Sequence, residues 1–478
     1  MVNTRRDFLK GTAWMGAAAI AAGCRSGGLG LFGGTDGAPM HGFACKPLKK
    51  VRIGIVGTGS RGRGCATRAS QIPGAEVVAI CDIAQNRLDM AQAKIAEQKK
   101  PRAREFLGPE AYRALCDFDQ VDVVYNTTPW NLHVPVALAA MRAGKHVFTE
   151  VPSAFTVDDC WELVETSEAT KRHCMQLENC CYGEIEMLTL NLVRLGLLGE
   201  IVHAEGAYIH DLRDMCKAEW PALRGEYWRY PENRDHTGNR YPTHGLVPLC
   251  LTMNVNRGDR LDYLVSLESN QVNFTRYMKE VLPADHPRRK DAVAMADMNS
   301  TLIKLASGRS MLIQHDVSSP RPYSRIQLVS GTKGVVCDYP FRVGFEEKVG
   351  DGIHEWYGEE KTKTVREKYR HPMWKQIGEI AQKVGGHGGM DFIMDLRWIY
   401  CLQNGLPLDM DVYDLATTCS LCELTEKSVK NRSRSYDIPD FTRGAWRTNR
   451  PLGIESFDMS KIRFDIRSVR TDKDQLNV

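Results

Sequence analysis

The run Val51-Arg52-Ile53-Gly54-Ile55-Val56 is a short apolar strand that ends directly in Gly57-Thr58-Gly59-Ser60-Arg61-Gly62. A G-x-G-x-x-G loop in that position leaves few folds open. Helical spacing follows. A second apolar run, Glu76-Val77-Val78-Ala79-Ile80-Cys81, then ends in Asp82, 25 residues after Gly57. Each part has a physical task. Gly57 permits the tight turn, Gly59 lets the backbone approach a pyrophosphate, and Gly62 lets helix and strand pack closely. The first helical turn offers N–H groups and a positive dipole end to the phosphates. An acid at Asp82 bonds ribose hydroxyls and favours NAD over NADP. The cofactor read from this unit is NAD.

The strand and helix alternation continues. Val121–Asn126 is a strand ending in Thr127-Thr128-Pro129, and a helix follows over 133–143. Lys145–Glu150 is the next strand, 157–172 the next helix, and Met175–Asn179 the last strand. Such alternation means a doubly wound parallel sheet with ligands at the carboxyl ends of its strands. Asn126, Pro129, Trp130, His133, Glu150 and Asn179 all fall at such ends. From residue 181 the rhythm stops. Strand-like runs over 198–210, 294–317 and 325–339, with a hairpin at Gly331-Thr332-Lys333-Gly334, suit a mainly antiparallel sheet. Residues 390–404 and 411–430 return to helical spacing. The division expected is a Rossmann domain over 49–180, a substrate-binding α+β domain over 181–450 and a surface-wrapping tail over 451–478.

Lys and Arg number 63 against 59 Asp and Glu, for a net charge of +4 in 478 residues. That balance argues against a nucleic-acid partner held by a bulk basic field. No apolar stretch approaches the roughly 18 residues of a membrane span. Thr4-Arg5-Arg6-Asp7-Phe8-Leu9-Lys10, followed by the apolar run Gly11–Gly23, reads as a twin-arginine export signal over 1–24. The protein is therefore expected to be exported to the periplasm. Ala21-Ala22-Gly23-Cys24 is similar to a lipoprotein cleavage box, with Cys24 as the lipid acceptor; plain cleavage is the alternative. Residues 25–48 are Gly-rich and read as a flexible tether. The 15 Cys are read mostly as small buried hydrophobes, because twin-arginine export carries folded proteins. Cys419-x-x-Cys422 has no second Cys/His pair nearby, so packing is favoured over a zinc or redox site, and no metal set is assigned.

Polar and aromatic side chains crowd between 208 and 245: Tyr208, His210, Tyr227, Trp228, Arg229, His236, then Tyr241-Pro242-Thr243-His244-Gly245. Aromatic faces stack on the apolar side of a sugar ring, and Arg, His and Asn bond its hydroxyls, so a sugar pocket is the reading. A polar surface loop with scattered aromatics is the plainer alternative.

The pattern Thr128-Pro129-x-x-x-His133, Ala143-Gly144-Lys145-His146-Val147 and Glu150-x-Pro152 resembles the Gfo/Idh/MocA oxidoreductases. That family implies a Rossmann domain followed by a domain on a large open antiparallel sheet. Its usual Glu-Lys-Pro is Glu150-Val151-Pro152 here, which removes a cation expected to assist proton handling in a simple dehydrogenase. Tyr241–Gly245, His387-Gly388-Gly389-Met390-Asp391, Leu406–Tyr413 and Asp440–Trp446 are similar to one branch of that superfamily, glycoside hydrolase family 109, over nearly all of 50–447.

The branch consists of NAD-dependent α-N-acetylgalactosaminidases, so the resemblance implies a glycan substrate and a redox-neutral route of oxidation, elimination, hydration and reduction. It implies NAD contacts at Ser60, Arg61, Asp82, Trp130, Asn131, Leu132, His133, Glu150, Val151, Asn179 and Tyr241. It implies substrate contacts at Tyr208, Arg229, Tyr241, Pro242, Thr243, His244 and Tyr323. Imidazole titrates near pH 6.5 in free peptides, so His244 is the candidate acid or base, with Tyr241 and Tyr323 beside it as catalytic candidates. A sugar dehydrogenase of the parent family and a non-catalytic exported sugar-binding protein are the rival readings. Assembly into a homo-oligomer is compatible with either.

Overall fold

The computed structural model describes residues 39–217, 228–350 and 352–462. The N-terminal half alternates as expected, with one strand and two helices between Asp82 and Val121 that the sequence reading did not name (α2, β3 and α3): β1 (Val51–Val56), α1 (Ser60–Gln71), β2 (Ala75–Asp82), α2 (Gln85–Glu97), β3 (Arg104–Leu107), α3 (Ala111–Cys116), β4 (Val123–Asn126), α4 (His133–Arg142), β5 (His146–Thr149), α5 (Val157–Thr170) and β6 (Cys174–Gln176). The six strands make one parallel sheet in the order β3-β2-β1-β4-β5-β6. The order reverses between β1 and β4, where Val56 pairs with Asn126. That crevice places the glycine loop beside the turn after Asn126, the expected ligand position in such a sheet. β1 and β4 are almost wholly buried because helices cover both sheet faces.

The second half contains α6 (Glu184–Arg194), β7 (Ile201–Ile209), α7 (Arg229–Asp235), α8 (Thr243–Thr252), β8 (Leu261–Glu268), α9 (Asn273–Val281), β9 (Asn299–Leu305) and β10 (Ser310–Asp316). The hairpin strands β11 (Leu328–Gly331) and β12 (Gly334–Cys337) follow, then β13 (Arg342–Phe345). Its sheet runs β13-β12-β11-β7-β10-β9-β8-β14, with β14 at Tyr436–Asp437. One pair departs from the expected antiparallel arrangement: β7 and β10 are parallel, with Tyr208 opposite His315. The intervening segment is long enough for the crossover that a parallel pair needs.

Helices α10 (Glu359–Tyr369), α11 (Pro372–Val384), α12 (Met390–Asn404), α13 (Val412–Cys419) and α14 (Leu421–Lys430) complete the chain. α12 does not stay with its own sheet. It is buried on nearly every side, its charged Asp391, Asp395 and Arg397 included, and packs under the Rossmann sheet. Trp398 stacks on Phe148 at 4.3 Å between ring centroids.

Two expectations at the edges change. Residues 39–48, assigned to a flexible tether, are partly packed: Met40 is buried, and its N–H donates to the Tyr413 hydroxyl at 3.1 Å. The tail beginning at 451 is no mere surface wrap, because Ile454, Phe457 and Ile462 are buried in the core below α11 and α12. The export signal, Cys24, Tyr227 and residues 463–478 lie outside the described residues. The fourteen described cysteines are all free thiols, all buried but Cys45. Cys419 and Cys422 are fully buried in helical packing.

Candidate active site

The cofactor cradle is built where β1 meets α1. Gly57 has φ +87°, and a Cβ there would come within 2.8 Å of the Thr127 carbonyl oxygen. A Cβ on Gly62 would collide with the Gly57 carbonyl, so the helix can lie this close to the strand only without a side chain. Gly59 is different: a Cβ there would meet nothing within 4 Å. That open space lies before the first turn of α1, which has no side-chain cap and no acidic residue. These features suit a pyrophosphate on the helix N-terminus. Asp82 is buried at the end of β2 and accepts from the Thr58 N–H at 2.8 Å and the Ala84 N–H at 3.1 Å. The residues present therefore fit a dinucleotide.

The opposite wall follows β4 and β5. The buried His133 ring has Nδ1 2.7 Å from the Pro152 carbonyl and Nε2 2.9 Å from the Thr128 carbonyl, tying two wall loops together. Burial pulls its pKa down to about 4, so the ring is neutral and only one of these contacts carries its proton. The Trp130 indole N–H donates to the Val151 carbonyl at 3.3 Å. Trp130, Leu132, His133, Glu150 and Val151 all line the cleft, as do Gly57, Gly59, Ser60, Arg61, Asp82 and Asn179. The cleft encloses about 410 Å³. Asn131 is exposed on its 3-10 turn, while Gly62, Pro242 and Thr243 lie behind the walls.

Beneath the cleft lies a buried ionic group that the sequence reading had not singled out. Arg61 and Arg68 are two turns apart on α1, and Asp391 and Asp395 one turn apart on α12. The two faces meet. Arg61 donates to Glu150 and to Asp391, each at 2.5 Å, and Arg68 donates to Asp395 at 2.7 Å. Asp391 also accepts from the Asn179 side-chain amide at 2.6 Å and faces His387 Nδ1 at 2.9 Å. Burial would push the Asp391 carboxyl up, but Arg61 and Arg68 outweigh it and hold it well below the usual range. At Glu150 burial wins over Arg61, and its carboxyl is raised. The His387–Asp391 motif was visible as a resemblance, but its partners on α1 were not.

The wall contributed by the second half is assembled by a close backbone approach. Gly206 on β7 and Gly245 on α8 face each other, and a Cβ on Gly206 would stand 2.8 Å from the Gly245 carbonyl carbon. α8 can therefore lie directly on β7, which brings Tyr241 and His244 to Tyr208. Tyr208 stacks on Tyr241 at 4.5 Å, and the His244 ring stands edge-on to both. The Arg229 guanidinium lies about 5 Å from the Trp130, Trp228 and Tyr241 ring centroids. Such faces hold a planar cation in place.

His244 Nδ1 lies 2.7 Å from Glu178 Oε1, and Glu178 is fully buried. Burial raises the Glu178 carboxyl, but the His244 contact outweighs it and leaves it below its ordinary value. Glu178 was legible only as the residue before Asn179 at a strand end. Glu178, Cys180 and His244 also have donor atoms within 4.8 Å of one another. Burial pushes the Cys180 thiol far up, which disfavours the thiolate that a cation would need.

A second chamber of about 490 Å³ opens from the first, sharing Tyr208, His210, His244 and His387 with it. Tyr323 lines this chamber and is 37% exposed. Its hydroxyl accepts from Arg325 at 3.0 Å, and Arg325 is anchored on Glu186 at 2.5 Å. The structure thus brings Tyr208, Tyr241, His244 and Tyr323 into one aromatic wall, with Arg229 on the cofactor side.

Residues 182–448 match the family model described as glycosyl hydrolase 109, C-terminal domain, and 51–177 match that of the oxidoreductase family with an NAD-binding Rossmann fold. The chain belongs to glycosyl hydrolase family 109. It is a glycoside hydrolase carrying an NAD-binding Rossmann domain. A family 109 protein of Shewanella sp. (strain ANA-3) is 45% identical over 453 residues, covering 94% of this chain and 98% of its own. A protein of Shewanella oneidensis named alpha-N-acetylgalactosaminidase is 42% identical over 460 residues, with the same coverage. The fold is also that of a levoglucosan dehydrogenase solved with NADH and levoglucosan, at a TM-score of 0.61 and 16% identity over 82% of this chain and 100% of that one.

Proposed function

We propose that this family 109 chain releases terminal α-N-acetylgalactosamine from glycans by a redox-neutral elimination. The observation that carries the reading is the shared wall: His244 and Tyr208 face both the cofactor cleft and the second chamber, so one sugar ring can lie against both. Val151 supports it. Where the parent oxidoreductases carry a lysine, this wall is buried and apolar.

Bound NAD would supply hydride abstraction at C3 of the sugar and its return at the end of the cycle. The Gly57–Arg61 loop, Asp82 and Asn179 would hold it. The protein's own groups do the rest. An ionised Glu178 can only accept, so Nδ1 of His244 donates to it and Nε2 is left to take the proton from C2. Burial pushes the Tyr241 and Tyr323 phenols up, so both stay protonated and serve as hydroxyl donors that position the ring. Arg229, braced on three aromatic faces, presents donors to the N-acetyl carbonyl. This order of events uses proton transfers from positioned side chains rather than the paired carboxylates of ordinary glycosidases.

The test is release of nitrophenol from nitrophenyl α-N-acetylgalactosaminide by protein lacking residues 1–24, with NADH absorbance followed together. Release without net NADH, and deuterium at C2 of the freed sugar in D₂O, are expected. Steady NADH accumulation with free sugars would favour the dehydrogenase chemistry of the parent family instead. We also propose that the chain reaches the periplasm by the twin-arginine route, on the support of Arg5-Arg6 and the apolar run after them.

A further inference from the structure

Between α11 and α12 the chain makes an unusual turn. Gly385, Gly386, His387, Gly388 and Gly389 all have positive φ, at 87°, 83°, 48°, 72° and 103°. Four are glycines, for which this costs little. His387 alone carries a side chain in a region that L-residues avoid. The loop has no slack to relax: a Cβ on Gly386 would meet the Asp391 side chain at 2.7 Å, and one on Gly389 the Ala381 backbone at 2.8 Å. An unfavourable backbone kept by its surroundings at a cavity rim suggests a side chain held for use.

The side chain so held is 61% exposed and lines both chambers. Its Nδ1 lies 2.9 Å from Oδ2 of Asp391, a carboxylate buried to 1% exposure and already charged by contact with Arg61. An ionised carboxylate can only accept, so Nδ1 is the protonated nitrogen. Among the described residues, no protein group bonds Nε2. This is the arrangement of Glu178 with His244, repeated at a second histidine that lines the same two chambers.

We infer that His387 is a second proton carrier of the active site and serves the glycosidic oxygen. The inference rests on the elimination reading above, which needs two proton transfers at different atoms and assigns only the one at C2. The imidazolium Nε2–H gives its proton to the glycosidic oxygen as the C1–O bond breaks. The electron pair left at C2 by deprotonation becomes the C1–C2 double bond, and the aglycone leaves as a neutral alcohol. Neutral His387 then takes a proton from the water whose oxygen bonds to C1, and C2 regains its proton from His244. Asp391 is the positioning residue that keeps Nε2 toward the chamber.

The experiment compares wild type, H387Q, H387G and Y323F on two substrates, nitrophenyl and methyl α-N-acetylgalactosaminide. Nitrophenolate leaves readily without a proton, whereas methoxide does not. H387Q and H387G should lose about 100-fold or more on the methyl glycoside, the usual contribution of a positioned acid. Their loss on the nitrophenyl glycoside should be at least about tenfold smaller. H387G replaces the one non-glycine residue of the positive-φ run 385–389, so its melting temperature should hold or rise, which separates catalysis from folding.

Bound NAD, measured after denaturation, should match wild type. Equal losses on both substrates, an unaffected methyl glycoside, or a selective loss in Y323F instead would overturn the assignment. Exchange of the C2 hydrogen of free N-acetylgalactosamine in D₂O is followed in the same preparations. If wild type shows none, the elimination reading fails, while a selective loss in H387Q would still identify His387 as the acid.

Discussion

The imidazole of His244 on α8 and the carboxylate of Glu178, at the end of the Rossmann half, meet at 2.7 Å across the junction of the two halves. Glu178 is wholly buried and also accepts from the Cys180 N–H at 3.0 Å. The pair joins the Rossmann half to the second half through one charged hydrogen bond.

E178Q should therefore cut kcat by about 100-fold or more while changing KM little, because a neutral amide can turn either its oxygen or its NH2 to His244 and no longer fixes the tautomer. The same pair sets an acid limit on stability. The folded Glu178 carboxyl lies below the roughly 4.3 of a free Glu. Its stabilising share is thus present above about pH 4.3 and lost as pH falls through the lower folded value. Thermal melts of wild type and E178Q should show a gap that narrows only on that acid side.

Two glycines of the phosphate loop should fail in different ways. G62A pushes a methyl into the Gly57 carbonyl and should cost about 1–3 kcal/mol by urea unfolding. G59A meets no protein atom and should leave stability unchanged. It should still weaken NAD binding by at least about tenfold, because the methyl stands where the pyrophosphate must approach. Titration of NAD against intrinsic fluorescence reads the second effect.

D395N tests the buried ionic group. Asp395 is fully buried, accepting from Arg68 at 2.7 Å and from the Tyr125 hydroxyl at 2.8 Å. Removing its charge leaves Arg68 in a low-dielectric site without its closest partner. The loss should be about 3–5 kcal/mol in denaturant unfolding.

V151K restores the motif of the parent oxidoreductases. Val151 is 3% exposed and packs with Trp130, Tyr208 and Tyr241. Burying an ammonium there should lower the melting temperature and reduce nitrophenol release at least about tenfold, with no gain in NADH production. A rise in NADH from free sugars would show that this single position chooses between the two chemistries.

R5K/R6K should keep the precursor in the cytoplasm. Fractionation of cells expressing the full chain reads this directly, and periplasmic recovery of the double variant would exclude the twin-arginine route.

What the sequence determined by itself was everything carried by local patterning. The apolar run, glycine loop and terminal acid of 51–82 specify strand, turn and helix through short-range sterics, and their alternation specifies a parallel sheet. Val151 could be read as a lost cation, and Tyr241–Gly245 as a site. Tertiary structure alone decided which distant groups share an electrostatic environment. Arg61 and Arg68 say nothing of Asp391 and Asp395 until α12 turns back beneath the first sheet, some 330 residues away in sequence for Arg61 and Asp391. Glu178 is an ordinary strand-end acid until Gly206 and Gly245 let α8 touch β7 and bring His244 onto it. The physical reason is range. Helix and strand propensity act over a few residues, whereas a buried charge is settled only by whatever long-range packing places beside it.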